Sequence, residues 1–459
     1  MSPAPSTEDP PPPPTRVDRG AMAAVLMAVS LVTLDASMTN TALPAIAAGL
    51  HTEPAQSIWV VNAYQLAVVA ALLPFAALAD RLGARRVHLF GLAFFALASL
   101  GGALASNLPM LVMARALQGL GAAATMSVNI ALVRQLYPPQ RLGRGVGLNA
   151  LAVGVFFAIG PTLASLLLAL ASWPWLYALN LPLGALAFGV AGAKLPHTRP
   201  PRSQTFDALA ALLTAATFAS AIGALAFAAQ RGDGRMAAML AVLTLVAGTA
   251  LLRRQAGHAA PMLPVDLLRR PLFALSAATS MASFTAQGLA FVSLPFFIEG
   301  VLQRDPVQTG FLIAPWAIVV AAGAPLAGRL SDRYPPGLLG GIGLMLLCAG
   351  LALLALLTPQ ATTAAIVLRM ALCGLGFSLF QSPNLNAMMS SAPAQRSGGA
   401  SGMVAMARLN GQALGAALVA LCFGLAGARG PVWALGLGAA VAGMAALASG
   451  ARLLVARPA

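Results

Sequence analysis

Charge is the scarcest ingredient of this sequence: Asp, Glu, Lys and Arg make up 8% of its 459 residues, against about 25% in a soluble domain. A chain so short of charge cannot cover a water-facing surface. With 59% hydrophobic residues and a mean hydropathy of +0.82 it belongs in a bilayer. Lysine is reduced to Lys194, which follows Ala193, so the Gly-Lys of an ATP-binding phosphate loop is missing. The three cysteines, Cys348, Cys373 and Cys422, lie in apolar runs with no disulfide or metal spacing and read as small core hydrophobes. His51, His88, His197 and His258 are scattered, and neither H-E-x-x-H nor G-x-S-x-G occurs. Without a nucleophile and its base an enzyme is not expected, nor is any cofactor, catalytic residue or metal site.

What is present is apolar length. Residues 1–19 carry five consecutive prolines, Pro10 to Pro14, and read as a disordered tail without a cleavable signal pattern. Fourteen candidate spans follow, the first over 20–44, so both termini share one side. An all-α membrane protein is expected. Its N-terminal six-helix bundle covers 20–193. Linkers over 194–271 carry two inserted helices (207–229 and 236–252), and a C-terminal six-helix bundle covers 272–455.

The basic residues give the orientation. Of 27 Lys and Arg, Arg231, Arg235, Arg304 and Arg429 fall on one side, and Arg115, Arg369 and Arg408 fall within spans. The other twenty lie on the side of the termini, which the positive-inside rule makes cytoplasmic. The net charge of +15 is thereby explained by anionic headgroups, without nucleic acid.

The chain also repeats itself. Ala76-Ala-Leu78-Ala79-Asp80-Arg81 returns as Gly328-Arg-Leu330-Ser331-Asp332-Arg333, and Gly160 returns as Gly415. Pro138-Pro-Gln140-Arg141 returns as Pro393-Ala-Gln395-Arg396. Two six-helix halves in the same orientation are a transporter plan, with substrate between them near the midplane. The pairs Gly143/Gly147, Gly398/Gly402 and Gly411/Gly415 are expected to pack helices at the sliding interface between halves.

Asp35 is the focal residue. It lies well inside the first span, with no Lys or Arg within fifteen positions. An intramembrane acid is costly and marks function. Low dielectric disfavours the charged form of a carboxyl, which suits it to taking and releasing protons. At 1.5 Å per residue Asp35 lies ~22 Å from the cytoplasmic end of its helix, and Arg115 ~9 Å from the outer end of the fourth, so the two share a depth. The proton-coupling pair is therefore expected to be Asp35 and Arg115. The plainer alternative ties Asp35 to Asn40 or Thr33.

Four motifs and a fifth pattern resemble the major facilitator superfamily, in its fourteen-helix drug:proton antiporter branch (EmrB/QacA-like). They are Leu34-Asp35-x4-Asn40-x-Ala42-Leu43-Pro44; Leu78-Ala79-Asp80-Arg81-x-Gly83-x-Arg85-Arg86; Arg115-x2-Gln118-Gly119-x-Gly121; Gly160-Pro161; and Trp173-Pro-Trp175-x4-Asn180-x-Pro182-x-Gly184. The sequence departs from the pattern at Ala76, Ala84 and Ala164-Ser165, where the family has Gly, a basic residue and Gly-Gly. The resemblance implies proton-driven efflux of amphipathic, cationic compounds across the plasma (inner) membrane. It also implies a monomer in contact with lipid and the proton gradient as energy source. It further implies a conformational latch of Asp80, Arg81, Gly83, Arg85 and Arg86, with Asp332 and Arg333 as the second copy. Gln118 and Gly119 belong to the helix-4 motif, and Gly160 and Pro161 to the antiporter motif.

A greasy cavity with sparse polar anchors is sketched by Tyr64, Gln65, Asn129, Phe156, Gln287, Trp316, Phe377, Gln381 and Asn410, each of which also suits ordinary packing. Arg369 and Arg408 either line that cavity or snorkel to its edge. Two rivals stand beside multidrug efflux: an exporter dedicated to one metabolite or self-made antibiotic, and a membrane enzyme or lipid-binding sensor.

Overall fold

The computed structural model describes residues 18–138, 141–197, 207–228, 234–255, 265–393 and 397–455. The proline-rich tail through residue 17, and with it Gln140, Arg231, His258, Gln395 and Arg396, lies outside the described residues.

Helices account for the described chain. They are α1 (Arg19–Gly49), α2 (Pro54–Leu82), α3 (Ala84–Ala103), α4 (Leu108–Leu136), α5 (Leu142–Leu170), α6 (Pro174–Lys194), α7 (Ala208–Ala228) and α8 (Gly234–Gln255). Then come α9 (Pro271–Val301), α10 (Pro306–Ser331), α11 (Pro336–Ala355), α12 (Thr363–Ser391), α13 (Ser397–Ala426) and α14 (Gly430–Ala451). By length and apolarity thirteen stretches can cross a membrane; the last, Gly399–Ala451, has 53 residues and holds two helices. They part at Gly427, whose φ of 54° suits glycine.

Starts and breaks follow the sequence. The Asp18 carboxylate accepts from the Gly20 and Ala21 amides and caps α1, and Asn107 caps α4 through the Met110 amide. Gly83, at φ 90°, makes the turn between α2 and α3 that a side chain would strain. Helix α1 was expected to end at Pro44 and instead runs to Gly49. Leu43 and Ile46 are fully buried on that last turn, and their packing outweighs the hydrogen bond that proline removes.

Packing repeats with an offset of eight helices. In the first half α1 lies on α5 and α6, α4 on α2 and α3, and α3 on α6. In the second half α9 lies on α13 and α14, α12 on α10 and α11, and α11 on α14. The halves meet through α5 against α10 and α13 against α2, a reciprocal pairing. Helix α7 lies over the α2–α13 seam, with Trp59 and Phe227 rings 5.1 Å apart, and α8 packs on α7.

The face bearing the start of α1 is called here the near face. At the far face one apolar core joins α1 and α2 to α9 and α13, from Leu34, Leu43 and Val60 to Val292 and Val419. Toward the near face, Gly143, Gly147, Gly328 and Gly402 have no neighbour within 4 Å of a would-be side chain. Gly143, Gly147 and Gly402 therefore do not pack the halves together. Gly411 and Gly415 do pack closely, but within the second half, against the Met281 and Thr285 carbonyls of α9. The sliding-interface expectation is corrected in both respects: the spacing reports close helix approach and does not name the partner helix.

Candidate functional site

Asp35 lies at mid-helix in α1 and is 1% exposed. Three side chains converge on its carboxylate. Arg115 donates through Nη1 to Oδ2 at 2.6 Å, Gln118 through Nε2 to Oδ1 at 3.1 Å, and Asn180 through Nδ2 to Oδ1 at 2.6 Å. Arg115 also donates from Nη1 to Gln118 Oε1 at 2.7 Å and from Nε to the Val60 carbonyl at 3.2 Å. Gln118 Nε2 contacts Ser99 Oγ at 2.7 Å. The guanidinium carbon lies 4.2 Å from the centre of the Tyr64 ring and 5.8 Å from that of Tyr177.

Local sequence builds this network. Arg115 and Gln118 are three apart and share a face of α4. Gly119 lets α4 touch α2, since a Cβ there would lie 2.5 Å from the Tyr64 carbonyl. Asn180 stands just after an irregularity in α6, where Pro182 cannot donate to the Ala178 carbonyl. A buried ion pair holds only if its remaining polar valences are met. Here amide donors and aromatic faces meet them.

The Asp35–Arg115 pairing expected from depth is thus present as contact. Thr33 instead donates to the Val29 carbonyl, and Asn40 makes no bond to Asp35. Asn180 and Ser99 are partners that sequence reasoning missed. Asn180 stood in a quoted motif, and its nearness to Pro182 was the available signal.

The Gly160-Pro161 motif links this network to the other half. A Cβ at Gly160 would fall 2.5 Å from the Ser37 side chain, so α5 presses on α1 two residues beyond Asp35. Pro161 has no N–H for the Phe157 carbonyl, and the Ser37 hydroxyl donates to that carbonyl at 2.9 Å. On the other side the Pro161 carbonyl abuts Gly310 of α10. Ser165, one of the departures from the family pattern, donates to the Pro306 carbonyl at 2.8 Å and accepts from the Gly310 amide at 2.9 Å.

A cavity of ≈ 560 Å³, counting the part open to solvent, lies between α5 and helices α9, α10, α12 and α13. Gln287, Trp316, Phe377 and Gln381 line it as expected, with Phe157, Phe284, Arg408 and Gln412. The remaining expected lining residues lie elsewhere. Tyr64 is under Arg115, Gln65 is half-buried on α2, and Phe156 packs into the far-face core. Asn129 donates to Asn149, and Asn410 donates to the Met406 carbonyl of its own helix. They point away because 100° per residue puts neighbours on different helix faces. Arg369 donates to the Ala365 carbonyl and does not line the cavity.

Of the latch residues, Asp80, Arg81, Arg86, Asp332 and Arg333 are exposed near the near face. Asp80 makes no hydrogen bond or ion pair among the described residues. Arg85 reaches the Gly192 carbonyl and His197, both at the end of α6. It binds its own half and does not bridge to the other.

Paired bundles of membrane-length helices around a cavity have the build of a multi-pass membrane protein, and the family match and a transporter-named relative make it a transporter rather than an enzyme. The chain matches the Major Facilitator Superfamily over residues 25–416 and belongs to that family. It is 48% identical over 435 residues, 95% of each chain, to the "Uncharacterized transporter YebQ" of Escherichia coli (strain K12). It is 31% identical over 397 residues to the multidrug resistance protein Stp of Mycobacterium tuberculosis (strain CDC 1551 / Oshkosh), 85% of this chain and 73% of that protein. A POT family transporter crystallised with a thioalcohol-conjugated peptide superposes with a TM-score of 0.71 over 93% of this chain and 94% of that one. At 15% identity that likeness concerns the fold.

Proposed function

We propose that the protein is a proton-coupled antiporter of the fourteen-helix drug:proton branch, exporting amphipathic small molecules across the cytoplasmic membrane as a monomer. The observation that carries this reading is the Asp35 carboxylate, buried in a membrane helix and bound by Arg115, Gln118 and Asn180. An acid kept at such expense in a bilayer marks a functional site. Relatives named for multidrug resistance support export.

In this reading the near face, richer in Arg, is cytoplasmic, with both termini on that side. The far face is closed and the cavity opens inward. Asp35, paired to Arg115, is then the carboxylate that has released its proton to the cytoplasm. Protonation from outside cancels its charge and frees Arg115 toward Val60 and the Tyr64 ring. The change reaches the other half through Ser37, Pro161 and Gly310. The exposed Asp80 and Asp332 segments engage when the near face closes, as the latch. The proton is the only driving ion in this scheme, and ATP has no role.

The test is proton-driven dye uptake into everted membrane vesicles, for the wild type and Asp35→Asn. The variant keeps the side chain's size and one acceptor oxygen but turns an NH2 toward a donor, so membrane insertion is measured beside transport and is expected to persist. Gradient-driven uptake falls at least roughly tenfold, as expected when one essential protonation site is lost. Full retained uptake in Asp35→Asn would move the coupling to another residue.

A further inference from the structure

We propose that the central cavity selects amphipathic organic anions, with Arg408 as the residue that binds their carboxylate or sulfonate group. The inference gives the substrate class for the export reading above, and in its transport part it rests on that reading. It runs against the cationic expectation carried by the resemblance.

Three observations converge. First, Arg408 lines the cavity, and no Asp or Glu does. Arg408 has no ion pair among the described residues, whereas Arg115 is matched to Asp35 at 2.6 Å. Second, the cavity holds unspent donors. Arg408 Nε and Trp316 Nε1 are both shielded from solvent without a hydrogen-bond partner. Buried donors are nearly always matched, and these two, on the cavity-lining residues of α13 and α10, are left free for an acceptor that enters the cavity. Gln412 donates to Gln287 Oε1 at 3.2 Å, so the amides of that wall are partly paired with each other and the guanidinium is the charged group left for a ligand. Third, the rest of the wall suits a flat apolar body: Phe157, Phe284, Trp316 and Phe377. The guanidinium fork matches a planar oxyanion in two parallel bonds. The repeat sharpens the point. At the offset that relates Gly160 to Gly415, Arg408 corresponds to Val153, which lines the same cavity from α5. The charge is one-sided, and an anion is oriented with its head toward α13.

The experiment uses the full chain in lipid nanodiscs without a proton gradient. Fluorescein is the anionic probe and ethidium the cationic one, read by fluorescence polarisation. The wild type binds fluorescein more tightly than ethidium by roughly tenfold or more, the yield of one charge-assisted bidentate contact. Arg408→Gln loses about that factor for fluorescein and leaves ethidium unchanged or tighter, while Arg408→Lys, which keeps the charge without the fork, restores only part of it. The wild-type preference needs no variant, so it stands even if Arg408→Gln folds poorly. Wild type that fails to bind fluorescein, or prefers ethidium, overturns the proposal. So does a well-folded Arg408→Gln with unchanged fluorescein affinity. If fluorescein binds as described but no gradient moves it in vesicles, the export reading fails and the selectivity stands. If vesicles pump ethidium and not fluorescein, the selectivity fails and export stands.

Discussion

Arg452 closes α14 with a guanidinium that reaches three helices. Its Nη1 donates to Asn384 Oδ1 at 2.7 Å and to Ser276 Oγ at 3.1 Å, and its Nη2 to the Ser449 hydroxyl. Burial pushes its pKa down to about 10, which still leaves it cationic at neutral pH. By charge counting it was one more residue of the positive-inside group; in the fold it is 4% exposed and ties α9, α12 and α14 together. Arg452→Ala leaves Asn384 Oδ1 without this partner, so a loss of about 1–3 kcal/mol is expected. Thermal unfolding in detergent, followed by tryptophan fluorescence, reads it as a lowered midpoint with transport largely kept below that temperature.

The same residue scale separates what sequence could and could not say. Asp35 and Arg115 were legible because a charge in an apolar run has few reasons to exist. Asn180 and Arg452 were not. An amide or a helix-end arginine is cheap in either role, and only packing decides which one it plays.

At the scale of elements, α5 and α10 form the tightest crossing between halves. A Cβ on Gly310 would meet the Pro161 carbonyl, and overpacking of this kind costs ~1–3 kcal/mol. Gly310→Ala is therefore expected to shift the equilibrium away from the closed far face by roughly tenfold or more. Maleimide labelling of Ser165→Cys, in a background without Cys348, Cys373 and Cys422, reads the shift as faster reaction. An unchanged rate would show that this crossing does not gate the far face. Helix existence was readable from apolar length, whereas ends moved by a few residues at several helices, at α1 because packing carried the helix past Pro44. Helix partners were not readable: the glycine pairs announce closeness, and Gly411 and Gly415 spend it inside one half.

At the scale of the whole molecule, charge bookkeeping distinguishes the substrate classes. One proton crossing 100 mV supplies ~2.3 kcal/mol, enough for very roughly a 40-fold gradient of a neutral compound. Exchanging one proton for a monocation moves no net charge. Exchanging it for a monoanion moves two, so ~4.6 kcal/mol is expected at 100 mV. In proteoliposomes with a valinomycin-imposed potassium potential, efflux of an anionic probe is expected to accelerate with voltage at fixed pH difference. A voltage-independent rate would argue for electroneutral exchange.

The inserted helix α7 has its own bearing on traffic. It is laid along the groove where α2 meets α13, with Phe227 against Trp59 and Ile222 in the same apolar core as Met406 and Leu409. A passenger dissolved in the bilayer finds that flank boarded over. The opposite flank, where α5 crosses α10, carries no such helix among the described residues, and Gly143, Gly147 and Gly328 stand in open space there toward the near face.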